Sequence, residues 1–163
     1  MKAIFALSEQ LGQQLLAQKE ILTSAESCTG GGVAFALTEV AGSSAWFERS
    51  FVTYSNLAKQ EMLGVKAQTL VDFGAVSEPV VREMVQGALL HSQATIGVAI
   101  SGIAGPDGGS AEKPVGTVCF AWASKQGWER AETLCFKGDR AQVRKQAITH
   151  ALQVVSHFLS QPN

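Results

Sequence analysis

Residues 96–101 read IGVAIS and run directly into GIAGPDGGSAEKPVG at 102–116. A continuous apolar run of strand length, stopped by glycine and proline, predicts a strand buried on both faces and then a long loop. A doubly buried strand implies helices on two sides of a sheet. Loops of this length in compact domains are commonly functional. So many glycines at a strand end imply close backbone approach to a ligand, or a flexible lid.

The flanking sequence agrees with this reading. ILTSAE at 21–26 predicts a short strand, followed by CTGGG and a helical run over 33–40. RSFVTY at 49–54 predicts a second strand, leading into a short helix from Asn56 to Leu63. Glu78 to Ala94 reads as a helix with Ser77 as its cap, Pro79 in its first turn, and Val80, Met84 and Leu89 on one apolar side. Residues 117–124 and 128–136 predict a hairpin across Lys125–Gly127. Asp139 is placed to cap a last helix through Leu159. At the N-terminus, Ile4, Leu7, Leu11 and Leu15 recur at helical steps, and Ser8, Glu9 and Gln10 interrupt any signal-peptide core. No stretch approaches a membrane span. Helices interleaved with a buried strand and a hairpin predict one α/β domain over residues 1–163, with a mixed sheet.

Of the 163 residues, 46% are hydrophobic and only 17% are charged, and the net charge is −1. The first figure excludes disorder, and the last leaves no basic footprint for nucleic acid. Low charge with many glycines also predicts backbone-lined sites or a buried subunit contact rather than a charged binding face. The three cysteines contain no CxxC pair. Cys119 and Cys135 lie in apolar strand-like runs and are expected to be buried, while Cys28, in a glycine turn, is the one candidate for reactivity. His91, His150 and His157 have no metal-ligand spacing to cysteine or carboxylate. A reducing cytoplasm fits this pattern.

Four polar clusters fall near predicted strand ends, where α/β folds place ligands. In AESCTGGG at 25–32, a strand–turn–helix with glycines is how a backbone amide nest for an anion is built, and Ser27 or Thr29 can cap the helix or bond the ligand. GSS at 42–44 followed by AWF reads, on its own, as loop. YSNLAK at 54–59 brings the only tyrosine, Tyr54, within five residues of Lys59. A serine beside a desolvated amine and a phenol is a way to build a nucleophile without histidine. The alternative is a snorkelling surface lysine and a rim tyrosine. The fourth cluster runs from Ser101 and Gly102 through Gly105 and Asp107 to Gly109, closing with KPVG at 113–116, and Arg140 of GDR opens the last helix, either to pair with an anion or as a solvated residue.

Together AESCTGG, GSSAWF, TYSNLAK, GAVSEP, SGIAGPDGG, EKPVGTV and GDRAQVRKQA resemble the C-terminal domain of the CinA family, most closely its stand-alone nicotinamide mononucleotide deamidases. The stretches occur in the family's order over nearly the whole chain. The resemblance implies a three-layer α/β/α fold, no metal or organic cofactor, and a homo-oligomer with a dimer favoured. It also implies hydrolysis of nicotinamide mononucleotide to nicotinate mononucleotide and ammonia. Carried over by motif, Ser44 matches the nucleophile, Tyr54 and Lys59 the activating pair, and Arg140 a functional arginine. Ser101 stands where many relatives have threonine. The implied chemistry is acyl transfer, with backbone amides of a glycine-rich loop holding the oxyanion. The 5′-phosphate then sits on the Thr29, Gly30 and Gly31 turn or against Arg140. A catalytically silent nucleotide-binding paralogue and a serine amidase of other specificity are the competing readings.

Overall fold

The computed structural model describes residues 2–162. In chain order it contains α1 (Lys2–Ala17), β1 (Leu22–Glu26), α2 (Gly32–Thr38), a 3-10 turn (Ser43–Ala45), β2 (Phe47–Val52), α3 (Asn56–Leu63), α4 (Ala67–Phe73), α5 (Glu78–Leu90), β3 (Ile96–Gly102), β4 (Thr117–Ser124), β5 (Glu129–Cys135) and α6 (Arg140–Ser160). The strands form one sheet in the order β2-β1-β3-β4-β5. β2, β1 and β3 run parallel, and β4 and β5 complete the sheet antiparallel. This is the mixed α/β sheet that the alternating pattern predicts.

The run at 96–101 is apolar throughout, but its side-chain volumes alternate, and that alternation builds the layers. Ile96, Val98 and Ile100 enter one core with α1, α2 and α6, joined from β4 by Val118, Phe120 and Trp122. The opposite face carries Ala99, Ala121, Ala123 and Cys119, which pack in a second core with α5, Leu63 of α3 and Leu70 of α4. Small residues there let α5 lie close to the sheet: a Cβ added at Gly97 would stand 3.1 Å from Val85 Cγ2. The two faces of one strand thus set the separation of the two helical layers.

The helix ends follow capping chemistry. Ser77 accepts from the Val80 N–H with Pro79 in the first turn, and Asp139 forms a reciprocal capping box with Gln142. The hairpin turns across Lys125–Gly127 as predicted. β2 spans Phe47–Val52 rather than 49–54, so Tyr54 lies beyond the strand, and α5 stops at Leu90 before Ala94. α4 and the 3-10 turn were not anticipated, because each is too short to show a period. Among the described residues, no helix is long and apolar enough to cross a membrane.

Two cysteine expectations are corrected. Cys135 is exposed, because β5 is an edge strand whose alternation turns Leu134 inward and Cys135 outward. Cys28 is buried, and burial pushes its thiol up to about 12, so it is not a reactive thiolate at neutral pH. Cys119 is buried as expected.

Gly87 of α5 determines where α3 sits. A Cβ added there would stand 2.0 Å from the Leu63 carbonyl oxygen, which is backbone and cannot rotate away. Glycine to alanine within an exposed helix ordinarily stabilises by about 1 kcal/mol. Here the clash outweighs that gain, and Gly87→Ala is expected to destabilise by about 1–3 kcal/mol. Urea unfolding measures it, and an unchanged midpoint would show that α3 can move aside freely.

Candidate active site

Three parallel strands end together, and their register decides which residues meet. Glu26, the last residue of β1, pairs with Val52 of β2 on one side and Ile100 of β3 on the other. Ser27, the Thr53–Tyr54 segment and Ser101–Gly102 therefore emerge side by side. α3 starts immediately after this edge, its first turn capped by the Ser55 hydroxyl accepting from the Ala58 N–H at 3.0 Å. That cap places Lys59 one turn into the helix, facing back over the strand ends.

Lys59 is only 1% exposed. Its Nζ donates to Ser27 Oγ at 3.0 Å, to the Thr53 carbonyl at 3.0 Å and to the Tyr54 carbonyl at 3.5 Å. Burial holds its pKa below the ordinary lysine value of 10.5, against a smaller opposing influence from Cys28. The neutral amine suits this setting. On losing its proton the amine can keep two N–H bonds to the carbonyls and turn its lone pair to the Ser27 hydroxyl, reversing that hydrogen bond.

The cavity above this pair has a volume of about 310 Å³. Ser27, Cys28 and Lys59 lie on one side, Ala75 and Val76 on another, and Ser101–Gly105 with Asp107–Gly109 close it from the long loop. That loop is tied down at Lys113, whose Nζ donates to the Phe73 carbonyl at 2.7 Å. At the rim, Arg140 donates to the Gly105 carbonyl at 2.9 Å and to the Tyr54 hydroxyl at 3.1 Å. A larger groove of about 970 Å³ runs between α1, α2 and α6 behind the 29–32 turn, but neither Ser27 nor Lys59 borders it.

Most predicted residues converge here: Ser27, Tyr54, Lys59, Ser101, Gly102, Gly105 and Arg140 all border the one cavity. Ser44 does not. It lies in the 3-10 turn before β2, whereas Tyr54 and Lys59 follow the strand, and six residues of strand span about 20 Å. Within the chain Ser44 is at the far end of the sheet from Lys59, and the hydroxyl that meets the amine is Ser27. Tyr54 also differs from expectation. Its phenol is paired with Arg140, and only its main-chain carbonyl approaches Lys59.

The anion nest expected at Thr29–Gly31 exists, but the chain fills it with its own carboxylate. Glu26 is wholly buried. Its Oε1 accepts from the Thr29 hydroxyl at 2.7 Å, the Gly31 N–H at 3.2 Å and the Val33 N–H at 2.9 Å. Its Oε2 accepts from the Ala34 N–H at 3.0 Å and the Ser50 hydroxyl at 3.0 Å. The positive end of the turn and the buried carboxylate satisfy each other, so the Thr29 hydroxyl and the Gly31 N–H are not free for a substrate anion, and Thr29 and Gly30 border the rear groove instead. The signal for this was present in the sequence. A carboxylate ending a buried strand must find donors, and the nearest are the amides of the following turn. Sequence reasoning also missed Ala75, Val76 and Arg144, the last of which donates to the Cys28 and Thr29 carbonyls.

The model of the CinA C-terminal domain matches residues 4–159. A nicotinamide-nucleotide amidohydrolase PncC from Escherichia coli (strain K12) is 59% identical over 152 residues, covering 93% of this chain and 92% of that protein. A protein of the same name from Pseudomonas putida is 51% identical, covering 93% and 94%. The crystal structure of the competence/damage inducible protein CihA from Agrobacterium tumefaciens superposes with a TM-score of 0.94 at 43% identity, covering 97% of this chain and 96% of that one. With the family model spanning nearly all of its length and the fold reproduced, this chain belongs to the CinA C-terminal domain family.

Proposed function

We propose that the chain is a nicotinamide-nucleotide amidohydrolase, converting nicotinamide mononucleotide and water to nicotinate mononucleotide and ammonia. The observation that carries this reading is the buried Lys59 amine 3.0 Å from the Ser27 hydroxyl at the edge of a nucleotide-sized cavity. The names and near-complete coverage of the relatives from Escherichia coli and Pseudomonas putida support the substrate.

In the proposed reaction, neutral Lys59 takes the Ser27 hydroxyl proton as Oγ bonds to the carboxamide carbon. Collapse of the tetrahedral intermediate breaks the C–N bond, and the Lys59 ammonium returns its proton to the leaving nitrogen, releasing ammonia. Water then gives a proton to Lys59 and attacks the acyl-serine. Ser27 leaves with that proton, freeing the nicotinate. Ala75 and Val76 offer an apolar wall to the ring. With the Glu26 nest closed, the 5′-phosphate falls to Arg140, held in place by Tyr54 and Gly105. Ser101, Gly102 and Gly105 line the substrate's path. Residues 1–163 act in this reading as one amidohydrolase domain, cytoplasmic and homo-oligomeric, with a dimer favoured.

Coupled detection of ammonia, with nicotinamide mononucleotide, its riboside and free nicotinamide as substrates, tests the reading. A charge-assisted phosphate contact predicts a kcat/KM for the mononucleotide about 10- to 100-fold above the riboside, a gap that Arg140→Ala removes. Equal rates on all three would indicate a general amidase. Tight nucleotide binding without ammonia would indicate a silent paralogue.

A further inference from the structure

Arg144 lies one helical turn after Arg140, on the same side of α6. It is half-buried, and its guanidinium meets main-chain oxygens. Its Nε donates to the Cys28 carbonyl at 3.0 Å and its Nη2 to the Thr29 carbonyl at 3.2 Å. Among the described residues it forms no ion pair. A guanidinium given wholly to two consecutive carbonyls beside a nucleophile has a consequence for the amides on the other side of those peptides.

A trans peptide points its carbonyl and its N–H in opposite directions. With the Cys28 carbonyl drawn toward Arg144 and the rear groove, the Thr29 N–H of the same peptide faces away from it. The Thr29 carbonyl belongs to the peptide whose Gly30 N–H donates to the Ser27 carbonyl at 3.0 Å. The Ser27 carbonyl in turn shares its peptide with the Cys28 N–H. Two short chains therefore start at one guanidinium. The first runs through one peptide to the Thr29 N–H, and the second through two peptides to the Cys28 N–H. Among the described residues, no oxygen accepts from either of these N–H groups. Each donor in such a chain polarises the next.

We propose that Arg144 is a positioning residue for acyl transfer, fixing the 28–30 turn from its carbonyl side and polarising the Cys28 N–H, which borders the cavity and receives the oxyanion formed when Ser27 attacks. The inference rests on the Ser27 nucleophile of the proposed function. Arg144 touches no reacting atom. It acts by fixing the turn from its carbonyl side, while Glu26 fixes it from its amide side. Hydrogen bonds aimed where charge develops strengthen in the transition state, so the effect falls on kcat rather than on substrate affinity.

The experiment compares wild type, Arg144→Met and Arg144→Lys by ammonia release, and by the rate at which a fluorophosphonate phosphonylates Ser27. For Arg144→Met, kcat falls about 10- to 100-fold with KM within about twofold, and phosphonylation slows by a similar factor. The pH midpoint of kcat does not move, because Lys59 is untouched. Arg144→Lys, which restores the charge but serves one carbonyl at a time, recovers part of the loss and carries the test if the methionine variant does not fold. A kcat within threefold of wild type in the folded variants, or a rise in KM at constant kcat, overturns the proposal. If the wild type is phosphonylated at Ser27 yet releases no ammonia, the substrate reading fails while the labelling rates still decide the role of Arg144. If Ser27 is not labelled and no ammonia appears, both fall.

Discussion

Ser27→Ala is expected to lower ammonia release from nicotinamide mononucleotide by about 10⁴-fold or more, the scale on which loss of an activated nucleophile acts. The fold should survive. The hydroxyl makes one hydrogen bond, to Lys59, and a net bond of that kind is worth about 1 kcal/mol. Ser44→Ala is the matched control: its side chain belongs to the 3-10 turn at the other end of β2, and its rate should stay within about twofold of wild type. Steady-state kinetics on both variants, with thermal unfolding alongside, separates the two serines. Full activity in Ser27→Ala together with loss in Ser44→Ala would remove the nucleophile from this cavity and return it to the motif-based assignment.

Lys59→Met is expected to reduce kcat by about 10²- to 10⁴-fold, the range associated with a positioned general base. The pH profile carries the more specific information. A protonated lysine has no lone pair, so the proposed proton transfer requires the neutral amine. Burial disfavours the charged form and brings the pKa below 10.5. Wild-type kcat should therefore rise with pH along an acidic limb whose midpoint lies below that value. Lys59→Met should abolish the limb along with most of the rate, whereas Lys59→Arg keeps the charge but cannot lose its proton, and is equally inactive. An unchanged limb in Lys59→Met would assign the titration to another group.

Much of the architecture was legible because it is written in local periods. The steps of Ile4, Leu11 and Leu15, the cap at Ser77 and the apolar run at 96–101 each report on a few neighbouring residues. The site was legible only in part, and the reason is long-range. Ser27 and Lys59 are separated along the chain by α2, the 3-10 turn and β2. They meet because β1 and β2 pair in parallel with Glu26 opposite Val52, a register that no local pattern encodes. Without it, the motif at 42–44 and the one at 27–30 offer equally plausible hydroxyls. The same limit explains the Glu26 nest. A glycine turn before a helix is recognisable as a place for an anion, but which anion occupies it depends on a side chain folding back from the strand before it.

The Glu26 nest also bears on how the enzyme meets its substrate. Glycine turns that bind a phosphate can depend on that phosphate for their order. Here the counter-anion is covalently part of the chain, so the turn carrying Ser27 holds its shape before any nucleotide arrives. In the proposed reaction none of the substrate's binding free energy is then consumed in arranging Ser27.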